Sequence, residues 1–110
     1  MKPFTSLVEI HILSPNASAR SIASGVSFFQ PDGDDMVFRS ALSSETPVGE
    51  HLKWLYGMLQ HHRKLFKQLD ASGVSMVVAI RVHDRTLDLQ PEALLLMHQF
   101  HLPTKIELSR

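Results

Sequence analysis

From Val48 to Leu69 the residues Val48, Leu52, Leu55, Leu59, His62, Phe66 and Leu69 recur at spacings of four and three. That is the period of an α-helix, and all but His62 are apolar. The stripe predicts one amphipathic helix over about residues 47–70, packed along its whole length. Thr46 is placed to N-cap it, and Pro47 fits the first helical position, where a missing N–H costs nothing. Ala71-Ser72-Gly73 ends it. A stripe this long needs an apolar surface to lie on, and the segments around it supply one with a period of two.

Leu7 to Leu13 alternates, with Val8, Ile10 and Ile12 on one face and Glu9 and His11 on the other. This reads as a half-buried strand closed by Ser14-Pro15-Asn16. Residues 15–35 are rich in Ser and Ala and read as an irregular or short-helix segment. The helix is expected over about residues 17–24 with Gly25 as its C′ residue, and the segment ends in the turn signal Pro31-Asp32-Gly33-Asp34. Met36 to Leu42 reads as a second strand. Past the long helix, Val74, Met76, Val78, Ile80 and Val82 mark a strand that is apolar on much of both faces. Asp84-Arg85 is expected to turn it into a short partner, Thr86 to Leu89. Pro91 and Glu92 open a second helix to about Phe100, and Lys105 to Leu108 forms a closing strand. From residue 36 the order is strand, helix, strand, strand, helix, strand. The expected fold is therefore α+β: a ferredoxin-like antiparallel sheet with the two main helices on one face, plus an extra N-terminal strand.

Composition narrows the function classes. With 110 residues the chain is expected to be a single domain that buries roughly two-thirds of its unfolded surface. Lys and Arg number 11 and Asp and Glu also 11, so no net positive field is there to hold a phosphate backbone, and nucleic acid is not an expected partner. The absence of cysteine removes disulfides, thiolate metal sites and cysteine nucleophiles, and suits a reducing cytoplasm. The segment from Met1 to Ser6 lacks the apolar core of a secretory signal, and no apolar run approaches the roughly 20 residues that span a bilayer.

Three pieces of the chain together resemble a known family. They are Phe38-Arg39-Ser40-Ala41-Leu42-Ser43-Ser44-Glu45, His51-Leu52-Lys53-Trp54-Leu55, and Leu87-Asp88-Leu89-Gln90-Pro91-Glu92-Ala93-Leu94, followed by Lys105-Ile106-Glu107-Leu108. In their order and spacing they resemble the bacterial proteins grouped as domain-of-unknown-function family 4279, over about residues 36–108. Phe38 stands where that family usually has Trp, and His101 where a C-capping Gly is usual. Its N-terminal Leu-Gly-x-x-Pro pattern is echoed only by Ile22, Gly25 and Pro31. The resemblance implies a small bacterial α+β domain and supplies no reaction, cofactor or catalytic residue. The expectation attached to the resemblance is the role suspected for some small domains of this kind, that of immunity proteins in bacterial toxin systems.

The seven histidines bear on the chemistry. His98 and His101 stand i, i+3 near the end of the second helix, a spacing that lets two imidazoles meet one metal, but the sequence offers no matching third ligand. The plainer reading gives His98 to the polar side of the helix, where a positive ring suits the C-terminal dipole. His51 lies near the positive end of the long helix and is expected to be neutral, hydrogen-bonded and partly buried. His51 and His62 are eleven residues apart, about 16 Å along a helix, so one metal cannot bridge them. His62 interrupts the apolar stripe and needs a partner for its ring N–H. Ser43-Ser44-Glu45 brings hydroxyls and a carboxylate near His51, but without a nucleophile elbow these residues read as turn chemistry. No Gly-Lys-Ser/Thr sequence or phosphate-cradling loop is present.

An interaction surface is the better reading. Trp54, Met58, His61 and Leu65 form a ridge to one side of the buried stripe, and Phe28 and Phe29 are adjacent aromatics in the least regular segment. Trp and Met anchor or adapt at contact surfaces; the plainer reading of the same ridge is boundary packing against residues 15–35. The sequence therefore points to a non-enzymatic protein-binding module of immunity type, cytoplasmic and without cofactor or bound metal. Its expected partner is another protein, a toxin in the concrete version, and its expected contacts are Phe28, Phe29, Trp54, Met58, His61 and Leu65. The alternatives are a small-ligand or metal-binding protein using His51, His62 or the His98/His101 pair, and a homodimer that meets along the Trp54 ridge.

Overall fold

The computed structural model describes residues 5–83 and 102–108, together with Pro91, Leu95 and His98. In chain order the elements are β1 (Thr5–Leu13), α1 (Ala17–Ser24), β2 (Phe29–Asp32), β3 (Asp35–Arg39), α2 (Val48–His61), α3 (Arg63–Ala71), β4 (Ser75–His83) and β5 (Thr104–Leu108). The strands form one mixed sheet in the order β2-β3-β1-β4-β5. β1 is antiparallel to both β3 and β4, β2 and β3 form an antiparallel hairpin, and β5 lies parallel beside β4.

This α+β sheet differs from the expected one in two ways. β1, read as an addition in front, is the central strand, and the sheet is mixed rather than antiparallel throughout. The amino acids explain both. Val8, Ile10 and Ile12 are wholly buried on one face and Glu9 is buried on the other, so β1 suits a place with a strand on each side. Lys105-Ile106-Glu107 alternates charged and apolar residues and suits an edge. Parallel neighbours need a long crossover, and in the connection from β4 to β5 the described residues Pro91, Leu95 and His98 are helical. The expected partner strand over Thr86 to Leu89 lies outside the described residues, as does the rest of the expected helix.

All three complete helices cover the same face of the sheet. Ala19 and Ala23 of α1, Val48, Leu52 and Leu55 of α2, and Phe66 and Leu69 of α3 join Ile10, Phe38, Val78 and Ile80 in one core. Phe38 is its hub, with ring-centroid distances of 4.6 Å to Phe28, 5.7 Å to Phe29, 5.7 Å to Trp54 and 6.5 Å to Phe66. Such offset and tilted aromatic pairs add to the stabilisation that burial alone provides.

The expected helix over residues 47–70 is in fact two. At His62 the backbone leaves helical geometry (φ −110°, ψ 31°) although the N–H of His62 still reaches the carbonyl of Met58 at 2.9 Å. Neither Pro nor Gly stands at the break. The His62 ring lies 4.9 Å from the Phe28 ring and edge-on to His61. Past the break Phe66 and Leu69 are buried in the core. Thr46 does not cap α2; Pro47 occupies the N-cap position without a side-chain bond, and the Thr46 carbonyl instead accepts the Ser6 hydroxyl at 2.6 Å.

The short helix is present as expected, capped by Asn16, whose Oδ1 accepts the N–H of Ala19 at 2.8 Å. Asn16 Nδ2 donates to the Ser72 carbonyl, tying the start of α1 to the end of α3. Gly25 follows the helix in right-handed geometry, so the left-handed C′ role expected of it is not used. Gly33 does need its freedom: at φ +61° it leads the two-residue turn between β2 and β3. The expected strand over residues 36–42 ends earlier, at Arg39, although the Ser40 N–H still donates to the Val8 carbonyl at 3.0 Å.

Candidate functional site

Because the helices gather on one side, the other face of the sheet is uncovered among the described residues. The period of two decides what stands there. The strand registers place Glu9 between Arg39 and Ala79, His11 between Val37 and Val77, and Arg81 beside Glu107. Small apolar side chains thus make the floor and charged ones the walls. A groove of about 350 Å³ lies there, lined by His11, Leu13, Asp32, Asp35, Val77, Ala79, Arg81, Lys105 and Glu107.

Glu9 anchors this face. It is 2% exposed, and a buried carboxylate requires paired or hydrogen-bonded neighbours. Arg39 Nε donates to its Oε2 at 2.7 Å, and His11 Nε2 stands 3.2 Å from its Oε1. Burial pushes the Glu9 carboxyl up, but the bonds and charges of Arg39 and His11 outweigh it and hold the group below its ordinary 4.5. At the rim Glu107 meets Lys105 at 2.9 Å and Arg81 at 3.3 Å. The hydrogen bond and charge of Lys105 hold the Glu107 carboxyl below the usual range. At the start of β3 Asp35 accepts the N–H of Ser14, just past the end of β1, at 2.8 Å. Charges of both signs therefore stand around an apolar floor, Arg81, Glu107 and Lys105 paired at one side and Asp32 and Asp35 at the other, which suits a polypeptide segment carrying both signs of charge.

A second polar arrangement lies beneath the helices. Ser40 Oγ and His51 Nδ1 are 2.7 Å apart, both buried. The Leu42 N–H donates to the same Oγ at 3.3 Å. The serine hydroxyl is then free to donate to Nδ1, which leaves the ring proton on Nε2. Nε2 has no hydrogen-bond partner. Burial pushes the His51 ring below its ordinary 6.5, and the carbonyls of Ser43 and Thr46 only partly offset this. A hydroxyl beside an imidazole is the geometry of an activated nucleophile. Here Ser40 and His51 are both buried and neither lines the groove, so the pair's evident action is to pin the end of β3 to the first turn of α2. His51 is hydrogen-bonded as expected and more deeply buried, burial favours its neutral form, and its hydroxyl partner is Ser40 and not Ser43 or Ser44.

The residues singled out for partner contact are brought together, largely by packing. Phe29 is buried, its ring 5.7 Å from Phe38 and 6.0 Å from Phe66. Phe28, Trp54, Met58 and Leu65 are half-buried against the core, and His61 is exposed. Of the candidate ligand residues, His62 is packed on Phe28, His98 is helical, and His101 lies outside the described residues. Among the described residues no three of His, Asp and Glu are grouped to hold a metal ion, and no helix is long and apolar enough to cross a membrane. Sequence reading missed Glu9, Arg39, Arg81, Lys105 and Glu107 as a group. Their signal was present in the alternation, but only strand order makes residues from four strands neighbours. Comparison with family models, curated proteins and solved structures finds no match to this chain.

Proposed function

We propose that this chain is a non-enzymatic protein-binding module, of the immunity kind in which a small cytoplasmic domain covers the working surface of a toxin. Its contact surface in this reading is the uncovered sheet face. The observation that carries it is the groove between Arg81, Lys105 and Glu107 on one side and His11, Asp32 and Asp35 on the other. It is floored by Val77 and Ala79, and of the charges around it Arg81 and Lys105 are paired with Glu107 while Asp35 accepts the Ser14 N–H. Preorganised charges of both signs give specificity and steer association more than they add raw affinity. The half-buried rim of Phe28, Trp54, Met58 and Leu65, with His61 beside it, is the second surface.

The likeness of residues 36–108 to family 4279 belongs to the same proposal, as does a ferredoxin-like reading of the fold. The latter now rests on other elements than first expected. Strands β1 to β4 run antiparallel in the order β2-β3-β1-β4, with helices between β1 and β2 and between β3 and β4. β5 is then the addition.

The test is affinity capture of tagged protein from the cells that produce it, with Val77→Arg and Trp54→Ala variants alongside. One polypeptide held stoichiometrically by wild type and Trp54→Ala, and lost with Val77→Arg, supports the groove. Loss with Trp54→Ala alone moves the contact to the helix side. Recovery of the wild-type protein alone contradicts the binding module.

A further inference from the structure

The two edges of the sheet are unlike. β2, at one end, carries Pro31, which has no N–H to offer, and its neighbour Asp32 is exposed; both features blunt an edge against pairing. β5, at the other end, has neither Pro nor a bulge, and Ile106 in its middle is 42% exposed. Its ladder to β4 fixes which backbone groups face away from the described sheet. The Val78 N–H donates to the Pro103 carbonyl at 2.9 Å, so residues 103, 105 and 107 turn their backbone groups toward β4. Thr104, Ile106 and Leu108 turn theirs outward, because successive residues in a strand alternate.

We infer that β5 pairs antiparallel with the β5 of a second copy, about a two-fold axis at Ile106. In this register Ile106 exchanges both backbone hydrogen bonds with its counterpart. Lys105 of each copy stands opposite Glu107 of the other in the closer, non-hydrogen-bonded pair, where opposite charges stabilise. The self-complementarity is specific. Centring the axis on Lys105 or on Glu107 instead sets like charges face to face, which is destabilising. Such an isologous contact closes after two copies and removes an edge that is unpaired among the described residues. Lys105 and Glu107 also line the groove, so the two grooves meet across the axis and each is completed by the other copy's charges. The inference rests on the β5 edge and stands apart from the identity of any partner protein.

The experiment is sedimentation of the full chain over a range of concentrations, with variants. The wild type is expected at twice its 12.4 kDa mass, and Ile106→Pro is expected at the single mass with an unchanged circular dichroism spectrum, since that N–H faces away from β4. Lys105→Glu and Glu107→Lys are each expected to weaken the dimer at least tenfold, and the double exchange to restore it. Trp54→Ala is expected to leave the mass doubled. A wild type that stays monomeric at every concentration overturns the inference. So does a dimer that survives both Ile106→Pro and the single charge reversals.

Discussion

The two faces of the central strand are built on different physics. On the helix side Val8, Ile10 and Ile12 are fully buried among the apolar groups of the core. On the opposite side Glu9 is almost as well hidden, but beneath Arg39 and His11 rather than beneath a helix. The first face holds through volume and area removed from water; the second holds through a charge that must stay paired. One strand thus separates a face that fixes the fold from a face left available for contact. Substitutions and pH should act on the two differently.

The largest expected effect is on the helix side. Phe38→Ala removes the ring on which Phe28, Phe29, Trp54 and Phe66 converge and should cost about 3–5 kcal/mol in denaturant unfolding. A loss under about 1 kcal/mol would mean that the aromatic hub is not the centre of the core. Ser40→Ala leaves both ring nitrogens of buried His51 without partners and should cost about 1–3 kcal/mol.

The buried polar groups also divide the acid response. His51 is held below 6.5 in the folded chain, so below that pH the unfolded chain binds the extra proton first. Its stabilising neutral state is fully expressed above about pH 6.5 and is lost as pH falls through the depressed folded value. Glu9 is held below 4.5, so its contribution is present above that pH and lost only as acid drives it through its folded value. Melting temperature should therefore fall in two stages. His51→Asn should flatten the upper stage alone, and Glu9→Gln the lower alone. A single stage untouched by either variant would show that neither group governs acid unfolding.

On the open face Glu9→Gln should cost about 1–3 kcal/mol near neutral pH, since it weakens charge-assisted bonds, with the exposure of Arg39 to solvent reducing the figure. Smallest is Gly33→Ala, at about 1 kcal/mol. Nothing lies within 4 Å of the added carbon, but the left-handed backbone disfavours it. A gain in stability there would mean the turn relaxes to another form.

Much of the local structure was legible because it depends on spacing. The alternation of β1, the short helix after Asn16, the stripe of α2 and α3 and the long β4 all follow from periods of two and of 3.6. The kink at His62 was not legible, since it comes with the ring of Phe28, 34 positions earlier in sequence, rather than with any helix-breaking residue. Sheet order was not legible either. Nothing local in Val8-Glu9-Ile10 says which strands will flank it, and so the convergence of Glu9, Arg39, Arg81 and Glu107 could not be foreseen. The spacing placed Trp54, Met58 and Leu65 to one side of the buried stripe, and there they are half-buried. What spacing could not give was that Phe38, from β3, sets its ring 5.7 Å from that of Trp54.

The central claim, that the uncovered sheet face is where this protein meets its partner, is tested most directly by carboxylate labelling of the captured complex against the free protein. Protection is expected at Asp32, Asp35 and Glu107, which ring the groove, with Glu50 and Asp70 on the helices labelled equally in both states. Protection of Glu50 or Asp70 with Asp32 and Asp35 left open would contradict it and place the contact on the helix side.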